Sequence, residues 1–458
     1  LAGAQWRLIP SYDNGPESIP FSNATCVSAE GQVVGLGVST DGADRLTLDH
    51  PAFFTEAGGL VILAHDPSYQ NARSVLARVS GVSSNSKFLV GRVRAGFAGE
   101  RLAALWEGEL FSEYRPVFDL QESTYSAATG VTEDGSIVIG WADVSESALS
   151  VQRIFKWERA TETWDFLDLP DGYNGGVSAA HPISESGDVI LGTASFTEDQ
   201  AFTPMLYRAC LWRDNVPEVL PLPEGMTWSS GYYLSQGGEW VAGRSVEGGD
   251  ANAVEQATFW EVETGEFRMV GTANGFESSV AYAVSPDGRY GFGLGKRFGD
   301  ENEGGVFFDL ESHESFTMAE FFARHRIASS LDLKSLVVRD LTVTSESAAM
   351  CGDITLESGA NGIVSFVFVA ESEIFPDRDF NLQYRQTDGS GSEHYTLETN
   401  SAEDDFIFEF SSNLQDWTPI TPESLSKSST IGSWEVIFAA SSESPRFYRV
   451  GIESSADR

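Results

Sequence analysis

The sequence predicts an all-β chain: a seven-bladed β-propeller over residues 1–370, followed by a C-terminal β-sandwich over residues 371–458. Three observations lead there. A ten-residue hairpin frame returns about every fifty residues, an aromatic strand follows each copy, and both patterns stop near residue 375.

The clearest copy of the frame is Val131-Thr132-Glu133-Asp134-Gly135-Ser136-Ile137-Val138-Ile139-Gly140. Val131 ends one strand, Asp134-Gly135 supplies a tight turn, and the β-branched run begins the next strand. Related stretches begin at Val27-Ser28, Val82-Ser83, Ile183-Ser184, Leu234-Ser235, Val284-Ser285 and Val343-Thr344. Six copies close on a glycine: Gly91, Gly140, Gly192, Gly243, Gly293 and Gly352, at steps of 49, 52, 51, 50 and 59 residues. A period near fifty suits a four-stranded propeller blade. Ser86 in the second copy and Ser347 in the seventh stand where a turn glycine is expected, which bears on turn type rather than on the blade.

The third strand of each unit is aromatic, as in Ala103-Ala104-Leu105-Trp106, Ile154-Phe155-Lys156-Trp157, Cys210-Leu211-Trp212 and Thr258-Phe259-Trp260. Recurrence in register marks these tryptophans as packing residues. A fourth strand follows, as in Trp164-Asp165-Phe166-Leu167, so the repeats read as four-stranded blades. The seventh unit lacks a fourth strand of its own, whereas Gln5-Trp6-Arg7-Leu8-Ile9-Pro10 belongs to no unit. That segment is expected to complete the last blade and cover its open edge.

The frame with its Ala/aromatic/Trp strand resembles the extracellular HAF-type repeat. The last unit, with Thr317-Met318-Ala319-Glu320-Phe321-Phe322, Leu331-Asp332-Leu333, Leu341-Thr342-Val343-Thr344 and Gly352-Asp353-Ile354, resembles the helix-containing final repeat of such proteins. The resemblance spans about residues 5–370 and implies a secreted protein without a settled chemistry. Beyond it, Phe410-Ser411-Ser412-Asn413-Leu414-Gln415-Asp416-Trp417 and Arg446-Phe447-Tyr448-Arg449-Val450 resemble a C-terminal module of secreted proteins from the Verrucomicrobia and Planctomycetes lineages. Its short alternating strands suggest a sandwich.

The chain carries 68 acidic against 29 basic residues, a formal charge of −39. Such a surface repels nucleic acid, whose binding needs Lys and Arg to displace counterions. No run of eighteen apolar residues is present, so no membrane span is expected. Ala2-Gly3-Ala4 resembles the end of a cleaved leader, with an expression scar as the plain alternative. A secreted or cell-surface location and a monomer are expected. Cys26 and Cys351 lie in units that meet when a propeller closes, so they are either bridged or two buried thiols; Cys210 reads as a buried thiol.

Residues 318–325 read as a short amphipathic helix with Met318, Phe321 and Phe322 on one face. His313 and His325 flank it without a third ligand at metal spacing. Acidic turns at Asp41-Gly42-Ala43-Asp44, Gly248-Gly249-Asp250 and 299–303 carry oxygen ligands of the kind Ca²⁺ takes, against a default of solvated acidic loops.

No nucleophile elbow, phosphate loop, dinucleotide fingerprint or zinc signature is present. Aligning the repeats is more informative. Two residues before the apolar residue of each frame stand Thr25, Ser80, Thr129, His181, Tyr232, Tyr282 and Leu341. His181, Tyr232 and Tyr282 come from consecutive units, so a propeller gathers them on one side of its channel. Tyr125, Trp228 and Tyr233 add aromatic surface, and Arg78 and Arg339 lie nearer the first and last units. Bulky residues that plug the channel are the plain reading of this set. The functional reading is an extracellular polysaccharide or cell-surface component bound at the channel mouth. Its enzymatic alternative is a polysaccharide lyase acting by β-elimination on a uronate-containing glycan, with His181, Tyr232 and Tyr282 catalytic. A purely structural matrix protein is the third.

Overall fold

The computed structural model describes residues 5–9, 21–29, 31–39, 50–63, 77–94, 100–118, 125–146, 149–196, 206–248, 253–273, 275–297, 303–318, 320–321, 327–329, 337–343, 347–355, 363–371, 380–387, 393–399, 406–411, 418–420, 424–427, 433–438 and 447–452. The repeats before the seventh are four-stranded antiparallel meanders. The first runs Phe21–Val27, Val34–Ser39, His50–Thr55, Gly59–Ile62, and the third Ser126–Val131, Ile137–Glu146, Leu149–Glu158, Thr163–Phe166. First strands of successive repeats lie side by side, and the seventh repeat packs on both the sixth and the first. The array therefore closes, as in a β-propeller.

The seventh repeat takes its outer strand from the start of the chain: Gln5–Leu8 pairs antiparallel with Ile363–Glu371, Gln5 opposite Val369 and Leu8 opposite Phe366. Ile9 is fully buried with Val27, Val34, Leu36, Ala349 and Cys351. Cys26, Cys210 and Cys351 are buried free thiols, so Cys26 and Cys351 are not bridged.

The hydroxyl in the frame has a structural role. Ser28, Thr132, Ser184, Ser235 and Ser285 are buried, and each accepts a bond from the backbone N–H five residues on. The hydroxyl thus closes the hairpin from inside, satisfying a donor that the turn would otherwise leave buried. In the second repeat Ser83 does the same for Phe88, and Ser86 adopts φ +61°. The turn thus keeps its left-handed position without a glycine.

The first strand of each repeat carries a bulge just before the frame. Thr25, Ser80, Thr129, Tyr232 and Tyr282 are the extra residues, each facing no partner on the second strand. The frame glycines oppose these bulges: Gly140 pairs with Ala128, Gly243 with Gly231 and Gly293 with Ala281. A Cβ at Gly293 would overlap the Val280 carbonyl oxygen, and one at Gly243 the Ser230 carbonyl oxygen. The bulge and the glycine are one feature.

The seventh repeat corrects the alignment. Val338 pairs with Gly352 and Asp340 with Cys351, so the bulge residue is Arg339, not Leu341. Leu341 pairs with Met350, the place Val131 holds opposite Val138. Two successive apolar-Thr pairs, Leu341-Thr342 and Val343-Thr344, made the register ambiguous, and the longer hairpin resolves it.

The repeated tryptophans are core: Trp106, Trp212 and Trp260 are fully buried, and Trp212 Nε1 donates to the Asp168 carbonyl at 2.6 Å. After the sixth repeat, Met318, Glu320 and Phe321 are helical. Thr317 and Glu320 cap this turn reciprocally, Glu320 accepting from the Thr317 N–H at 2.7 Å. Phe321 packs on Phe307 with ring centroids 4.4 Å apart. Phe322 and His325 lie outside the described residues.

Residues beyond the repeats form two four-stranded sheets, one ordered Phe380–Thr387, Glu393–Thr399, Ser433–Phe438, Ser424–Lys427. The other comprises Phe447–Ile452, Phe406–Ser411, Thr418–Ile420 and Ile327–Ser329, the last contributed by the connection between the sixth and seventh repeats. No helix among the described residues is long and apolar enough to cross a membrane.

Candidate functional site

Bulges re-aim side chains away from the sheet face, and here they point the extra residues of the first strands toward the axis. Thr25 Oγ1 donates to the Val79 carbonyl of the next repeat at 2.7 Å, and Thr129 Oγ1 lies 2.8 Å from Ser178 Oγ. These small residues join neighbouring repeats. The large ones divide into three groups.

The first is an aromatic strip. The Tyr232 and Tyr282 rings lie 5.3 Å apart at 46°. Arg244 sits over both Tyr232 (5.5 Å) and Trp228 (4.9 Å), and Trp228 meets Tyr207 at 5.7 Å. All four rings are partly exposed. Glu255 pairs with Arg244 and lies 3.6 Å from Lys296 Nζ, so the local charge is largely balanced. Burial raises the Tyr232 phenol to about 12, partly offset by the Arg244 guanidinium. Tyr232 therefore keeps its proton at neutral pH and acts as a hydrogen-bonding or stacking group, not as a phenolate base.

This shift has a measurable consequence. The folded state holds the Tyr232 proton more tightly than the unfolded chain, whose tyrosines titrate near 10. Stability from this group is complete below pH 10 and lost as pH rises toward 12, on the order of 2–3 kcal/mol. Urea unfolding between pH 8 and about 11.5 should show a decline that Tyr232→Phe makes shallower.

The second group surrounds His181. Ser178 pairs with Gly192 and Ile183 with Ile190, so residues 179–182 form a wider bulge than in the other repeats. The His181 and Tyr233 rings lie 4.9 Å apart at 45°, and His181 Nε2 lies 3.1 Å from Asp340 Oδ2 of the seventh repeat. That approach lacks hydrogen-bond alignment. Asp340 is fully buried, and its Oδ2 also accepts from the Val27 N–H at 2.7 Å. The pair spans the axis and links the first, fourth and seventh repeats.

The third group is cationic. Arg78, Arg92 and Arg101 lie in the second repeat, with the Arg101 guanidinium 5.5 Å from the Tyr125 ring centroid, and Arg339 is exposed on the seventh.

The predicted set is therefore not one cluster. Tyr232, Tyr282 and Trp228 come together; His181 meets Tyr233 and Asp340; Tyr125, Arg78 and Arg339 belong with the arginines. Reasoning from sequence missed Asp340, Arg244, Arg92 and Arg101. A signal existed for two of them, since Arg92 and Arg244 each follow a frame glycine, Gly91 and Gly243.

Among the described residues, no group of three or more His, Cys, Asp or Glu side chains could hold a metal. The turn at 41–44, Gly249, Asp250 and residues 299–302 lie outside them.

No protein-family profile matches the chain, and no curated protein matches it. Similar solved structures include an oligogalacturonate lyase from Vibrio parahaemolyticus, at 10% identity and TM-score 0.47, covering 80% of this chain and 96% of that one. The β-propeller domain of the trilobed protease from Pyrococcus furiosus is 9% identical, with TM-score 0.47 and coverage of 78% and 99%. TolB from Acinetobacter baumannii is 12% identical, with TM-score 0.37 and coverage of 76% and 78%. None of them carries a residue role or an activity over to this chain.

Proposed function

We propose that this chain is a secreted or cell-surface binding protein: seven HAF-like blades over residues 1–370 and a β-sandwich module over residues 371–458, the latter completed by Ile327–Ser329. Its ligand is an extracellular polysaccharide held at the channel face. The strip Tyr282–Tyr232–Arg244–Trp228–Tyr207 carries this reading, because partly exposed rings in series offer apolar faces to successive sugar rings. Binding requires no tuned pKa.

The lyase reading rests on a separate observation, the buried Asp340 carboxylate against His181. His181, beside Asp340, would remove the proton α to a uronate carboxylate as the glycosidic C–O bond breaks, the leaving oxygen taking a proton from water. It ranks second because His181 and Tyr232 sit in different contact groups and Tyr232 holds its proton.

The test is a polysaccharide panel with affinity and unsaturated-uronate absorbance measured separately. Trp228→Ala should weaken binding roughly 10-fold, the loss expected of a stacking anchor. A polymer bound equally by wild type and Trp228→Ala would remove the strip from the account. Turnover abolished in His181→Ala with binding retained would establish the lyase instead.

A further inference from the structure

The arginines of the second repeat have an arrangement that the glycan reading does not use. Arg78 pairs directly with Arg92 across the first two strands, and Arg92 with Ala103 across the next two. Arg101 lies two residues from Ala103 on the same strand, so alternation brings all three arginines to one face of the sheet. Directly opposed like charges destabilise a sheet. Arg92 is 7% exposed, and burial with the neighbouring Arg78 and Arg101 lowers its guanidinium to about 9. Burial and Arg339 lower Arg78 as well.

In a chain with 68 acidic residues, a carboxylate partner would be easy to supply. Yet the buried Nε atoms of Arg78 and Arg101 have no hydrogen-bond partner among the described residues. The carboxylate that Arg101 influences is Asp143, whose pKa is raised by burial despite that guanidinium. Like charges held side by side away from water are costly. An oxyanion would remove the cost, since each guanidinium offers a planar fork matched to carboxylate or sulfate oxygens.

We propose that Arg78, Arg92 and Arg101, with Arg339 beside them, form a binding site for a carboxylate- or sulfate-bearing ligand. This goes beyond polysaccharide binding, because a free inorganic oxyanion would satisfy the site as well as an acidic sugar. Neighbouring Tyr125 is placed to cover the bound group from the side of the third repeat.

The experiment compares the full chain with Arg78→Met and Arg101→Met, which keep the apolar stem and remove the charge. Thermal midpoints are measured against sodium sulfate, sodium chloride at matched ionic strength, an oligogalacturonate and a neutral oligosaccharide. Sulfate also stabilises proteins by exclusion, so the difference between wild type and variants decides. Wild type should show a saturable rise of roughly 3–6 °C with sulfate or oligogalacturonate and none with the neutral sugar. Both variants should lose that rise, while their ligand-free midpoints hold or increase as repulsion is relieved. A response to oligogalacturonate without one to sulfate identifies an acidic sugar as the source; the reverse identifies a free oxyanion. Equal anion responses in wild type and variants would overturn the proposal, as would ligand-free midpoints that fall with the response intact. Should a variant not fold, calorimetric titration of wild type decides: saturable heat with either anion supports the site, and its absence refutes it. Failure here leaves the Trp228 result untouched.

Discussion

Removal of residues 1–10 should lower the thermal midpoint by at least about 10 °C and leave an aggregation-prone protein. The segment supplies the outer strand Gln5–Leu8 to the seventh repeat and buries Ile9 completely. Losing a buried isoleucine costs about 2–5 kcal/mol, and each cross-strand pair adds a few tenths to 1 kcal/mol. The total, on the order of 4–8 kcal/mol, approaches the whole net stability of an ordinary domain. The exposed edge of Ile363–Glu371 would also present unpaired backbone groups to other molecules. Ile9→Ala isolates the packing part and should cost about half as much. A deletion variant with an unchanged midpoint would mean that the strand adds nothing to closure.

Asp340→Ala should be the most damaging single substitution at the axis, by about 3–5 kcal/mol. The carboxylate is fully buried, accepts from the Val27 N–H at 2.7 Å and lies 3.1 Å from His181 Nε2. Alanine would remove the carboxylate that accepts from the Val27 N–H and that lies against His181 across the axis. Asp340→Asn keeps an acceptor for Val27 and should lose less, about 1–3 kcal/mol. Denaturant unfolding of both variants, alone and with His181→Ala, measures the coupling directly. If the two alanine substitutions add without coupling, the contact across the axis contributes no stability. If Asp340→Ala and Asp340→Asn cost the same, the Val27 bond is not what Asp340 provides.

Local features of this chain are legible because they are short-range. Turn glycines, β-branched runs and the frame hydroxyl act within five or six residues, as Ser235 does for the Trp240 N–H, and fifty-residue repetition displays them again and again. The all-β, propeller-like array follows from that repetition. Alignment also picked out five of the bulge residues that face the axis, because each stands at a fixed distance from its frame.

What only the tertiary structure decided depends on register and on distance across the closed array. Two further strand pairs in the seventh hairpin, Thr342 with Ala349 and Val343 with Ala348, moved the bulge from Leu341 to Arg339 and put Asp340 beside the axis. The wider bulge at residues 179–182 sent His181 toward Asp340 and Tyr233, away from the tyrosines it aligns with. Arg78, Arg92 and Arg101 share a face through strand pairing, and their spacing of 14 and 9 residues carries no periodic signal. Sequence by itself determined which residues could turn inward. Which of them meet was decided when strands from opposite repeats came together, because contacts 150 or more residues apart leave no local pattern to read.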